Sequence, residues 1–237
     1  MAGLLLRVDN LYPYMEEVCR DYITLPDRKE DAYIEGTPED VQFSLDWHLK
    51  YDHEVVDPGF AEYTQTHQKM YAHIVKYGAL WMHAAVVGMD GSAYGFTGPS
   101  GYGKSTHAHL WQQVFGERAQ IINGDNPIMR KADGVWHAYG TPFGGKHNEQ
   151  VNIGLPLKGY CFLEHGQSNE LLPMDRKAAR NRILENMFDF RIIRRTTLAQ
   201  LLDLVEDFTS EVPQYRLICN MDPEAAVVAY TGMQREV

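Results

Sequence analysis

Basic charge is scarce in this chain: 22 lysines and arginines stand against 32 aspartates and glutamates, a formal net charge of −10 over 237 residues. So acidic a balance excludes nucleic acid and anionic membrane as partners, because both need a basic face. It leaves open a small anion held by backbone amides. Cysteine is sparse too. Cys19, Cys161 and Cys219 lie far apart with no C-x-x-C pair, so neither a disulfide framework nor a cysteine-rich zinc site is predicted. No apolar run approaches the ~18 residues that span a bilayer. The opening Met1-Ala2-Gly3-Leu4-Leu5-Leu6 meets Arg7 and Asp9 too soon for a signal-peptide core. Internal repeats and low-complexity stretches are also lacking. The expectation is a soluble, cytoplasmic globule.

What is present is ordinary globular material, 44% hydrophobic, with a length that suits one large domain or two small ones at about 150 residues each. The first fifty or so residues are acidic and punctuated by Pro26 and the Glu35-Gly36-Thr37-Pro38 break. They read as short strands and a helix around Tyr14 to Tyr22. Phe60, Tyr63, Tyr71 and Ile74 suit one side of a helix from Gly59 to Lys76. Apolar runs at Leu80–Val87 and Ser92–Thr97, joined by Met89-Asp90-Gly91, predict a hairpin, since Asp-Gly tolerates positive φ. A second hairpin is predicted from Ile128 to Tyr139, turning at Ala132-Asp133-Gly134. His107–Phe115 reads as a helix, and Ala119–Asn123 as a buried strand. Tyr160–Leu163 and Tyr215–Cys219 are further strands. Leu198, Leu201, Leu202, Val205 and Phe208 keep helical spacing. Asp222-Pro223 opens a last helix, with a capping residue and a proline at its first position. Strands mixed with helices and hairpins predict an α/β fold: a mixed sheet with flanking helices.

The sharpest feature is Gly98-Pro99-Ser100-Gly101-Tyr102-Gly103-Lys104-Ser105, followed by Thr106, which satisfies the phosphate-loop pattern G-x-x-x-x-G-K-[ST]. Glycines let backbone amides turn inward on a phosphate, Lys104 reaches the β and γ oxygens, and the Ser105 hydroxyl can ligate Mg²⁺. A following helix directs its positive end at the same anion. The context fits, with an apolar strand before and an amphipathic run after. The competing reading, a glycine-rich turn with an incidental lysine, explains less. Ile121-Ile122-Asn123-Gly124-Asp125 is an apolar strand ending in a carboxylate, the place for an acid that holds Mg²⁺ or its water. The alternative is that Asp125-Asn126-Pro127 is merely a turn.

With these residues in view, the chain resembles the HPr kinase/phosphorylase C-terminal domain and its smaller kinase-like relatives, in the phosphoenolpyruvate carboxykinase-like superfamily. The resemblance rests on His83-Ala84-Ala85-Val86-Val87, Gly95-Phe96-Thr97, the phosphate loop with Ser105-Thr106, Gly124-Asp125-Asn126, and Tyr139-Gly140-Thr141-Pro142-Phe143-Gly144-Gly145-Lys146. It covers roughly Phe60 to His165. It implies a phosphate-loop core over 58–237, with 1–57 as a flanking segment of the same single domain, 1–237. ATP would lie on Gly98 to Ser105, His83 close to the transferred phosphoryl group, and Asp125 at the metal or acting as base. A homo-oligomer is implied as well. Two features depart from the family: its paired aspartates are here Asp125 and Asn126, and the bifunctional enzymes' N-terminal domain and downstream glycine-rich signature are missing.

The expected activity is ATP- and Mg²⁺-dependent phosphoryl transfer to a hydroxyl, on either a protein or peptide serine or a small metabolite. Two alternatives stay open. One is a nucleotide-binding regulatory module without transfer, which Asn126 favours. The other is the reverse reaction, with phosphate removed from a phosphoprotein by inorganic phosphate or pyrophosphate. Among weaker signals, His83 on an apolar strand suits either a core histidine or the reacting group. Lys146 is either a second cation on the phosphates or a solvated loop lysine. His107 and His109 point to different faces of one helix and cannot share a metal. His48 and His53 read as surface. Arg191, Arg194 and Arg195 form the densest basic patch, a phosphate clamp or a solvated face. Trp81, Trp111 and Trp136 read as packing.

Overall fold

The structure, a computed structural model, describes residues 1–187 and 195–234. Two parallel strands, β1 (Leu6–Asp9) and β2 (Ala32–Glu35), form a small sheet of their own. Between them the chain makes helix α1 (Tyr14–Val18) and a 3-10 turn at Arg20–Tyr22, in place of the one helix predicted there. Helix α2 (Pro38–Trp47) occupies a stretch that the sequence reading treats only as a break. Its cause is local. Thr37 Oγ1 accepts from the Asp40 amide and the Asp40 carboxylate accepts from the Thr37 amide, while Pro38 sits where no amide hydrogen is required. Helix α3 (Pro58–Ile74) continues into a 3-10 turn at Val75–Tyr77 and matches the predicted span. His48 is half-buried rather than surface: it bonds Asp52 at 2.8 Å and packs on Phe60.

The remaining elements are β3 (Ala79–Trp81), β4 (Ala84–Met89), β5 (Ser92–Thr97), α4 (Lys104–Phe115), β6 (Ala119–Asn123), β7 (Ile128–Ala132), β8 (Val135–Tyr139), β9 (Gly154–His165), β10 (Glu170–Pro173), α5 (Arg176–Asn186), α6 (Arg195–Glu211), β11 (Gln214–Cys219) and α7 (Glu224–Met233). Among the described residues nine strands form one mixed sheet, in the order β3-β7-β8-β9-β5-β4-β6, with β11 beside β9 and β10 beside β11. Both predicted hairpins form. Their Asp-Gly pairs take positive φ throughout: Asp90 50° and Gly91 78°, Asp133 50° and Gly134 81°.

Alternate residues of the central strands feed two separate cores, as the period of two requires. Ala85, Val87, Tyr94, Phe96, Ile121, Cys161 and Leu163 pack against Trp111 of α4 and Ala225, Ala226, Ala229 and Met233 of α7. Ala84, Val86, Ile122, Tyr160 and Phe162 face the opposite core, with Met70 and Ile74 of α3 and Leu201, Val205 and Phe208 of α6. Trp81, Trp111 and Trp136 are buried, as read. The five residues read as helical all fall in α6, where Leu201, Val205 and Phe208 are buried and Leu198 and Leu202 are exposed. One detail of the helices differs from the reading. Pro223 is the N-cap of α7 rather than its first helical residue, and the Asp222 carboxylate accepts from Asn220 instead of capping.

The run Leu80–Val87 is not one strand. Trp81 pairs with β7 and Ala84 with β5, so the chain must change partners at Met82-His83. His83 therefore sits in a bend before β4, not on a strand.

Candidate active site

The site follows from strand direction. Strand β4 is antiparallel to both neighbours, with Ala84 opposite Thr97 at the end of β5 and Val86 opposite Asn123 at the end of β6. The start of β4 and the ends of β5 and β6 thus meet at one edge of the sheet. His83, the phosphate-loop segment and Asp125 are the residues just past those ends. The ends of β5, β9 and β11, mutually parallel, open onto the same edge, where ligands of open α/β sheets gather.

The segment Gly98 to Gly103 joins β5 to α4. Gly103 is the N-cap of α4 with φ 88°, which an L side chain rarely adopts. Pro99, Ser100, Gly101 and Tyr102 are exposed, as is Thr106; Ser105 is half-buried in the first helical turn. Tyr102 stacks on His165 at the end of β9, ring centroids 4.8 Å apart. Lys104 is buried, and its Nζ donates to the carbonyls of Gly98 at 3.1 Å and Pro99 at 3.4 Å. Burial holds that ammonium below the ordinary lysine range, and the nearby Asp125 carboxylate works against the shift.

The second half of the site is built on a buried amide and a hydroxyl. Asn123 Oδ1 accepts from the backbone amides of Asp125 at 2.9 Å and Asn126 at 2.7 Å, which fixes the turn that follows β6. Asn123 Nδ2 donates to Thr141, at the carbonyl (3.1 Å) and Oγ1 (3.2 Å), and Thr141 Oγ1 donates onward to the Asn126 carbonyl at 2.7 Å. Trp81 Nε1 donates to the same carbonyl at 2.8 Å. The Ala84 amide donates to the Asp125 carbonyl at 2.8 Å, and Thr97 Oγ1 to the His83 carbonyl at 2.9 Å, tying the bend of His83 to both neighbouring strand ends.

On that frame His83 Nε2 lies 3.1 Å from Asp125 Oδ1, and Asn126 Nδ2 donates to Asp125 Oδ2 at 2.8 Å. The loop of Gly144 and Gly145 presses on the same carboxylate: a Cβ at Gly145 would stand 2.6 Å from Asp125 Cβ. Lys146, in the next position, is exposed. Behind the site, His67 is packed between Trp81 and Phe143, and burial pushes its imidazole down to about 4 against the pull of Asp125. Tyr63, above Phe143, is pushed up by burial, with Asp125 adding to the shift.

Of the residues singled out in the sequence, the structure brings His83, Lys104 and Asp125 to one edge. Arg191 and Arg194 lie outside the described residues, as does the side chain of Arg195. His107 and His109 do point apart: His107 is buried against Phe96 and accepts from Trp111 Nε1, whereas His109 meets Glu149 at 2.7 Å. Sequence reading missed Asn123 and Thr141, the two buried side chains that hold the Asp125 turn. A signal existed for the first, because an asparagine two positions before an aspartate at a strand end is a turn-former in its own right. Among the described residues no group of three or more His, Cys, Asp or Glu side chains is placed to hold a metal. No described helix is long and apolar enough to cross a membrane.

No protein-family model matches the chain, and no curated protein matches it in sequence. A solved structure of the Hpr(Ser) kinase/phosphatase from Coxiella burnetii superposes with a TM-score of 0.38 at 10% sequence identity, over 65% of this chain and 90% of that one. A likeness that distant carries no argument about activity.

Proposed function

We propose that the chain is an ATP-dependent phosphotransferase that moves the γ-phosphoryl group to a hydroxyl of a protein, peptide or small metabolite. The observation that supports it is the meeting of a strand–glycine loop–helix bearing Lys104 with a His83–Asp125 pair at one sheet edge. Phosphoryl transfer asks for little else: a cradle of amides and one cation for the phosphates, and a positioned group that takes the hydroxyl proton. Lys104 leaves the carbonyls of Gly98 and Pro99 to meet phosphate oxygens, and the amides of Gly101, Gly103, Lys104 and Ser105 would line the cradle, while that of Tyr102 donates to the Pro99 carbonyl at 3.2 Å. Asp125, held by His83 on one oxygen, accepts the proton. Ser105 and Asp125 are the side chains that would hold Mg²⁺, an ion that keeps several waters and takes only one or two carboxylates beside phosphate. Bound there, it would neutralise charge on the phosphates.

The test uses γ-labelled ATP with magnesium, the purified chain and an extract of its source, with Lys104→Ala as the blank. Lys104-dependent label in a protein band makes this a protein kinase; label in a small compound makes it a metabolite kinase. ATP binding without Lys104-dependent label sinks the transferase reading and favours a nucleotide-binding regulatory module, which the substitution of Asn126 for a second carboxylate would suit. Pyrophosphate released on adding inorganic phosphate to labelled phosphoprotein would place the reaction in reverse.

A further inference from the structure

We infer that Asn126 is the positioning residue of this site: its side-chain amide orients the Asp125 carboxylate, so that the single acid presents one oxygen to His83. The inference rests on the phosphotransferase reading and deepens it.

The backbone of Asn126 needs nothing from its own side chain. Its amide donates to Asn123 Oδ1 at 2.7 Å, and its carbonyl accepts from Trp81 Nε1 at 2.8 Å and Thr141 Oγ1 at 2.7 Å. The residue is only 7% exposed, and its side chain donates from Nδ2 to Asp125 Oδ2 at 2.8 Å. That bond also settles which way the amide faces, since the flipped rotamer would set two acceptors against each other. The other end is informative. Asn126 Oδ1 is buried and has no hydrogen-bond partner. A buried acceptor left unpaired costs about 1–3 kcal/mol, a penalty that leucine or methionine at this position would not incur.

Asparagine supplies what those residues lack, a donor, and it does so without charge. An aspartate here would set a second carboxylate beside the first, and the two would share a proton rather than both ionise. The charged and titratable groups facing Asp125 are His83 from the bend before β4, Lys104 from α4, and His67 and Tyr63 from α3. With Oδ2 fixed by Asn126, Oδ1 is fixed toward His83. The departure from paired acids is on this account a working arrangement with one acid and one orienting amide.

The test has two arms. In ¹H–¹⁵N spectra of the uniformly labelled chain, the side-chain amide pair that disappears in Asn126→Ala identifies Asn126. One of its two protons is expected well downfield of ordinary asparagine amides, and is expected to return to the ordinary range in Asp125→Ala. An ordinary position in the parent, or no change in Asp125→Ala, overturns the inference. In the kinetic arm, Asn126→Ala and the equal-volume Asn126→Asp are each expected to lower kcat about 10- to 100-fold, with KM for ATP within about threefold of the parent. Unchanged kcat in both variants, or a loss carried by KM alone, also overturns it. A parent chain without turnover removes the role together with the phosphotransferase reading, while the downfield amide still reports whether the contact exists.

Discussion

His83 Nε2 and Asp125 Oδ1 stand 3.1 Å apart although one residue leads into β4 and the other follows β6. The pair exists because β4 runs antiparallel between β5 and β6, and because the Ala84 amide bonds the Asp125 carbonyl beside it. Neither side chain is needed to build the frame that joins them.

Asp125→Asn therefore keeps the fold and loses the acid. Transfer is expected to fall on the order of 10²- to 10⁴-fold, the usual contribution of a positioned general base, with the thermal midpoint almost unchanged. Initial rates beside a melting curve check this. An Asp125→Asn chain as fast as the parent would remove the carboxylate from the chemistry.

Thr141→Val conserves shape and deletes a hydroxyl that donates to the Asn126 carbonyl at 2.7 Å and accepts from Asn123 Nδ2 and the Phe143 amide, both at 3.2 Å. Some of these partners keep a second bond, so the expected cost is about 1–2 kcal/mol rather than the sum of three. Urea unfolding measures it. A midpoint equal to that of the parent would show that the hydroxyl network does not hold the turn.

Gly145→Ala meets two obstacles: a φ of 74° and a new Cβ 2.6 Å from Asp125 Cβ. Gly134→Ala offers the control, because Gly134 has a similar φ of 81° but open space around its Cβ. Both variants should lose about 1–2 kcal/mol to backbone strain. Only Gly145→Ala should displace Asp125, so transfer rate, measured on both, should fall in that variant alone. Equal rates in the two would mean that the loop gives way instead.

Burial drives the His107 imidazole down to about 3 from an ordinary 6.5. Its folded value lies below its unfolded one, so the neutral ring contributes stability that is full above about pH 6.5 and is lost as pH falls toward 3. His67, pushed down to about 4, adds to the same trend. The loss per group approaches ~1.4 kcal/mol per pH unit. His107→Gln, which can still accept from Trp111 Nε1, should flatten the dependence between pH 6.5 and 4; parallel curves for parent and variant would assign the acid sensitivity elsewhere.

Local chemistry was readable from residues alone wherever a few neighbours in sequence decide the outcome. The Asp90-Gly91 and Asp133-Gly134 turns need positive φ at consecutive positions, and the pattern around Lys104 needs glycine at the positions that turn before a helix. Helix α2 is not predicted, although Thr37, Pro38 and Asp40 carry its start locally; the sequence reading treats the Glu35-Gly36-Thr37-Pro38 stretch only as a break. Strand β9 is not decided locally. Its twelve residues alternate poorly because different stretches pair with β8, β5 and β11, so only the fully buried Tyr160–Leu163 stood out.

The chain by itself determines the candidate phosphate loop, because such a loop is made of adjacent residues whose backbone freedom and side-chain reach are intrinsic to them. It also determines the buried strand Ala119–Asn123 that leads to Asp125, although the strand stops at Asn123 and Asp125 lies in the turn beyond it. Only the tertiary structure decides that His83 leaves the sheet at a change of partner strand, that it meets Asp125, and that Asn126 turns its amide toward that carboxylate. Those are relations across the edge of a sheet, set by strand order and by which buried polar atoms can find partners there. Spacing along the chain carries neither.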